Sequence, residues 1–101
     1  MEQLTNENFK KKLSKRLAIV DFFADWCGPC RMLGPEFEKA SQEVTDVLFA
    51  KIDVQEEQEL AMKFQVRSIP CLIIFKDGEE IDRIIGYVNK EQIKVKLALY
   101  Q

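Results

Sequence analysis

Leu17-Ala18-Ile19-Val20-Asp21-Phe22-Phe23, followed by Ala24-Asp25 and then Trp26-Cys27-Gly28-Pro29-Cys30, decides the fold. The first seven residues are apolar except for Asp21. Such a run is too short for a buried helix and ends near turn chemistry, so it reads as a strand buried on both faces. From Pro29 to about Val44 the period changes. Leu33, Phe37, Ala40 and Val44 fall at i, i+4, i+7 and i+11, which is one face of a helix. Two cysteines separated by two residues therefore stand where a strand hands over to a helix. Pro35 lies inside the helical pattern, where it removes a backbone donor and crowds the preceding turn, so a kink is expected there.

Toward the N-terminus, Thr5 can cap a short helix, with Leu4 and Phe9 as a hydrophobic staple around it and Phe9 and Leu13 on one face. Toward the C-terminus, Val47 to Val54 repeats the buried-strand pattern, broken by Lys51. Leu60, Ala61 and Phe64 mark a short helix, and Cys71 to Phe75 is an apolar strand. Asp77-Gly78 is a hairpin turn signal, with Ile81 to Tyr87 as the return strand. Asn89 caps a last helix that turns Ile93, Leu97 and Tyr100 inward, with Val88 and Ile93 as its staple. The alternation of strands and helices predicts an α/β fold with right-handed parallel crossovers. It is a central mixed sheet of about four or five strands, a parallel core plus an antiparallel C-terminal hairpin, flanked by about four helices.

The 101 residues are one domain's worth, spanning 1–101, and a monomer is the default expectation. A hydrophobic share of 47% and a charged share of 32% fit a globular protein, and the net charge of -2 argues against a nucleic-acid partner, which would want a clustered basic face. The run Lys10, Lys11, Lys12, Lys15, Arg16 reads as the wet face of a short helix. Met1 to Lys12 lacks the apolar core of a signal peptide, and no later run is long enough to span a bilayer. A cytoplasmic protein without membrane association is expected.

Three cysteines are too few for a disulfide framework, and histidine is absent, which removes the usual general base and the commonest metal ligand. A structural zinc site needs four ligands, and beyond Cys27 and Cys30 only Cys71 is on offer, so neither a metal nor another cofactor is expected. The alternative is dithiol chemistry. Cys27 sits at the start of a helix, where unpaired N–H groups and the positive end of the dipole stabilise a thiolate. The thiolate is the attacking form in disulfide exchange, and this setting lowers its pKa. Cys30, one turn further in, is expected to be more buried, less acidic and the resolving thiol.

Trp26-Cys27-Gly28-Pro29-Cys30, preceded by Val20-Asp21-Phe22, resembles the active-site segment of the thioredoxin family. Pro35, Lys51, Ile69-Pro70, Asp77-Gly78 and Gly86 extend the resemblance, ordered and spaced as in that family, over nearly the whole chain. It implies a thioredoxin fold and general reduction of disulfide-containing protein substrates, with electrons supplied by a thioredoxin reductase. An oxidant or isomerase on the same fold is the competing enzyme reading, and the Gly28-Pro29 dipeptide favours the reductant. A binding module built on the surface around Trp26 is the non-enzymatic one.

Several residues carry two readings. Asp21 is either an exposed edge position or, as the resemblance implies, a buried carboxylate behind Cys30 that takes and returns its proton. Lys51 is either a surface lysine whose stem covers apolar area or a charge partner of Asp21. Pro70 can open a strand in the trans form, whereas the resemblance implies a cis bond facing the redox pair. The Ile69 backbone would then be free to pair with an extended substrate. Gly86 would keep that surface open, completing an apolar patch of Trp26, Gly28, Pro29, Ile69, Pro70 and Gly86 around Cys27, with Trp26 partly exposed.

Phe23 replaces a second tryptophan common in the family, and Gly34 stands where a helix former is commoner. Cys71 follows Pro70 where threonine is usual. It reads either as a small buried filler or as a third redox-active or metal-recruiting thiol near the pair that competes with Cys30.

Overall fold

In the computed structural model, which describes residues 1–101, strands and helices alternate along the chain. They are β1 (Glu2–Gln3), α1 (Phe9–Leu13), β2 (Leu17–Phe23), α2 (Gly28–Glu43), β3 (Leu48–Asp53), α3 (Gln58–Lys63), β4 (Cys71–Lys76), β5 (Glu79–Ile85) and α4 (Lys90–Ala98). The five strands form one sheet in the order β1-β3-β2-β4-β5. β1, β3 and β2 run parallel, and β4 and β5 form the antiparallel C-terminal hairpin. The crossover through α2 returns parallel, as expected. The chain leaving α3 instead enters β4 on the far side of β2, antiparallel to it.

β2 is the central strand, and every residue from Ala18 to Phe23 is buried. Side chains alternate along it, so each face feeds a different core. Val20 and Phe22 join Phe9, Leu13, Leu60 and Phe75 under α1 and α3. Ile19 joins Leu33, Phe37, Ala40, Ile93 and Leu97 under α2 and α4. In the first cluster the Phe75 ring stands edge-on to Phe9 and Phe64, with centroids 5.4 and 5.2 Å apart. Each such pair contributes roughly 0.5–1.5 kcal/mol beyond its burial.

The helix ends follow their sequence signals with one shift. Asn89 and Gln92 close a reciprocal capping box on α4, two orphan N–H groups satisfied at once. At α1 the regular helix begins only at Phe9, with Asn8 as its cap residue. Thr5 and Asn8 exchange side-chain-to-backbone hydrogen bonds, and Phe9 N–H still reaches the Thr5 carbonyl at 3.0 Å. The Leu4–Phe9 staple survives, since both side chains are buried in the same cluster. α2 is continuous through Pro35.

Two features had no local signal, the strand β1 and a register shift in the C-terminal hairpin. β1 is a two-residue polar strand on the edge of β3. In the hairpin, Asp77 and Gly78 both take positive φ (53° and 84°), as a tight two-residue turn demands. A register shift follows at Ile74/Phe75, and β5 ends at Ile85, so Tyr87 lies beyond it and is exposed.

Candidate active site around Cys27 and Cys30

β2 delivers the chain to the site. After Phe23 the backbone turns, Cys27 N–H bonds the Ala24 carbonyl at 3.2 Å, and Cys27 becomes the N-cap of α2 with Pro29 in the first turn. That proline is at home there, because the first helical N–H groups have no partner within the helix. The Cys27 sulfur faces those N–H groups and accepts a hydrogen bond from Cys30 N–H at 3.2 Å. It is this geometry that stabilises a thiolate on Cys27 once the pair is reduced. In the structure Cys27 and Cys30 are joined as a disulfide, with their Cα atoms 5.2 Å apart.

The two sulfur residues are buried alike, with 5% of Cys27 and 6% of Cys30 exposed. The expectation that Cys30 would be the more buried is corrected here. A ring closed over one helical turn places both side chains in the same small cluster with Phe23 and Ala24, packed by Val54 and Ile69. What distinguishes Cys27 is its N-cap position.

The Ile69–Pro70 bond is cis. The Ile69 carbonyl oxygen lies 3.9 Å from the Cys27 sulfur. Gly86, at φ 95°, donates its N–H to the Pro70 carbonyl at 2.9 Å, so the end of the hairpin is tied to the proline. That backbone conformation is one other residues rarely adopt. Beside the pair Trp26 is 64% exposed, and Gly28 and Pro29 are exposed too.

Asp21 is buried in the middle of β2, not at an edge, with 1% of its surface exposed and no hydrogen-bond partner for Oδ1. Burial pushes its carboxyl up to about 7, while the Lys51 ammonium pulls it the other way. A cavity of about 240 Å³ is lined by Asp21, Cys30, Lys51, Asp25, Arg31 and Gly34 among others. The carboxyl and the inner cysteine thus share one polar space. Lys51 pairs with Asp21 across the β2–β3 ladder, but its Nζ rests over the Phe23 ring, 4.3 Å from the centroid.

The Cys71 thiol is buried on the other side of the sheet. It belongs to the core under α1 and α3 and is absent from the cluster of the redox pair. Its cross-strand partner Phe22 faces that core, whereas Asp21, one residue earlier, faces α2. Pleat geometry thus sets the Cys71 thiol on the face away from the redox pair, packed into the core, which favours the filler reading.

The thioredoxin family model matches residues 1–98. A thioredoxin of Chlamydia caviae is 44% identical over 86% of this chain and 85% of its own length. One of Mycoplasmoides gallisepticum is 40% identical over 93% of this chain and 96% of its own length. Among solved structures, Plasmodium falciparum thioredoxin superposes with a TM-score of 0.91 at 34% identity, each chain covered completely. The chain belongs to the thioredoxin family. It is a thiol–disulfide oxidoreductase with Cys27 and Cys30 as its redox pair, and its sheet and helices are those of the thioredoxin fold. No helix is long and apolar enough to cross a membrane.

Sequence reasoning left out two neighbours of the pair. Arg31 lines the cavity and donates to the Asp25 carbonyl at 3.1 Å, a bond that its place after Cys30 hints at. The other is Phe23, noted as a departure from the family, whose ring serves as the seat of the Lys51 ammonium.

Proposed function

We propose that residues 1–101 act as a single monomeric domain that reduces protein disulfides, with each site residue in a separate role. Cys27 attacks a substrate disulfide, one sulfur of which leaves as a thiolate, and a mixed disulfide forms. Cys30 then attacks Cys27, expels the second substrate sulfur and closes the Cys27–Cys30 ring. The observation that carries this order is the N-cap geometry, since the Cys30 N–H aimed at the Cys27 sulfur favours ionisation of Cys27 first.

Asp21 is the proton acceptor for Cys30 through the cavity they share, and Lys51 tunes it from the neighbouring strand. Trp26, Gly28, Pro29, Ile69, Pro70 and Gly86 form the substrate surface. The Ile69 carbonyl beside the Cys27 sulfur pairs with an extended substrate strand, so many sequences can be read by main-chain hydrogen bonds. A thioredoxin reductase returns the electrons, and a reducing compartment such as the cytoplasm keeps the pair in its working dithiol form.

Redox titration and reduction of insulin, run on the wild type, Cys27→Ser and Cys30→Ser, test the assignment. A potential near the thioredoxin reference of about -270 mV supports the reductant. Cys27→Ser is expected to be inert, and Cys30→Ser to accumulate a mixed disulfide. A potential of about -120 to -180 mV would make the protein an oxidant or isomerase instead.

A further inference from the structure

Arg83 lies on β5, away from the redox pair, and nothing in the mechanism above uses it. Its guanidinium holds Glu80 with both prongs, Nε to Oε2 at 2.6 Å and Nη2 to Oε1 at 2.7 Å. The same Nη2 donates to the Phe64 carbonyl at 2.8 Å. The strand that carries Arg83 also pairs with β4, Ile85 of β5 standing opposite Cys71 of β4. Phe64 and Cys71 are the residues immediately before and after the segment Gln65–Pro70, which carries the cis proline and the Ile69 carbonyl. Gln65 opens that segment in the left-handed region (φ 52°), so the path of the chain is set at its first residue. One side chain therefore ties the Phe64 end of the loop to the strand that already pairs with its Cys71 end.

We propose that Arg83, fixed by Glu80, is a positioning residue for protein substrates: it closes the base of the loop Gln65–Pro70 and so holds the Ile69 backbone ready to pair with an incoming strand. A planar fork with five donors can bridge a carboxylate and a carbonyl at once, whereas an ammonium cannot hold the same geometry. Ordering the loop before the substrate arrives spares the encounter that entropy cost, so the effect falls on protein substrates and on KM. A small disulfide, which reaches Cys27 without pairing to the loop, feels it less. The inference rests on the substrate-surface reading of Ile69 and Pro70.

The test compares steady-state reduction of insulin with that of a small aromatic disulfide, a thioredoxin reductase supplying electrons through the Cys27–Cys30 pair, in Arg83→Met, Arg83→Lys, Glu80→Gln, Pro70→Ala and Tyr100→Phe. Arg83→Met is expected to raise the ratio of the two KM values by roughly tenfold, the loss of one charge-assisted hydrogen bond, with kcat affected less. Glu80→Gln is expected to move the ratio the same way, and it carries the test should Arg83→Met fold poorly. Arg83→Lys is expected to recover only part of the effect. Tyr100→Phe breaks the hydrogen bond to Asp82 on the opposite face of β5 and serves as the stability control. An unchanged ratio in the Arg83 and Glu80 variants, or an equal change in Tyr100→Phe, overturns the proposal. If Pro70→Ala alone moves the ratio, the substrate surface stands and Arg83 has no part in it. If neither Pro70→Ala nor the Arg83 variants move it, the surface reading falls as well.

Discussion

Asp21 and Lys51 are direct partners across the β2–β3 ladder, yet the lysine ammonium stacks on Phe23 and leaves Asp21 Oδ1 without a hydrogen bond. The carboxyl feels the lysine through space and the surrounding core at contact. Burial is the larger of the two opposing influences, and the group titrates near about 7. An acid poised there can exchange a proton with Cys30 in either direction at neutral pH.

Replacing Asp21 by Asn separates that role from the core. The folded protein binds the extra proton between the unfolded carboxyl value of 3.8 and about 7, so the wild type loses stability as pH rises through that window. Urea unfolding at about pH 8 should find Asp21→Asn more stable than the wild type by up to roughly 4 kcal/mol, with the gain gone near pH 4. Single-turnover reduction of insulin should be slowed in the same variant. A pH-independent stability difference would show that Asp21 is not held protonated by burial.

Lys51→Met removes the influence that lowers the Asp21 value. The midpoint of the pH profile for resolution of the mixed disulfide should move upward. Stopped-flow traces across the neutral range measure it, and a midpoint that stays put or falls refutes the coupling.

Trp26 is 64% exposed beside the pair. Its truncation to Ala should therefore change stability by no more than about 0.5 kcal/mol, as surface positions do, while raising KM for protein disulfides. Loss of stability without a change in KM would mean that the ring serves the fold.

Gly34 lies inside α2, and apart from its chain neighbours and the backbone of its own helix no atom comes within 4 Å of where a Cβ would stand. Gly34→Ala is expected to stabilise the protein by about 0.5–1 kcal/mol, because glycine gives up more backbone freedom on entering a helix. The urea midpoint reports it, and a lower midpoint would count against an unstrained helix at that turn.

Glu43 on α2 meets Lys90 and Lys94 of α4, each at 2.7 Å, and their hydrogen bonds hold its carboxyl down at about 2. A depressed value stabilises the fold above the unfolded carboxyl value of 4.5 and is lost as pH falls toward 2. Glu43→Gln should be less stable than the wild type at neutral pH and equal to it in strong acid. Added salt should shrink the difference, since the pair is solvent-accessible. Thermal melts at low and high ionic strength decide the matter.

What the sequence by itself determined is local. The apolar run Leu17–Phe23, the helical period after Pro29, the Asp77-Gly78 turn and the Asn89 cap each act through neighbours a few residues away. The Cys27–Cys30 spacing at a helix start likewise carries its chemistry in its own backbone N–H groups. Tertiary structure decided everything that depends on register between distant segments. Glu2–Gln3 becomes a strand only because β3 offers an open edge, and two polar residues have no period to read. Cys71 lies on the far face from the redox pair because one step along a pleat reverses the side chain. Lys51 prefers the Phe23 ring to Asp21, and Arg83 reaches Phe64, nineteen residues away in sequence, through contacts that exist only once the sheet is assembled.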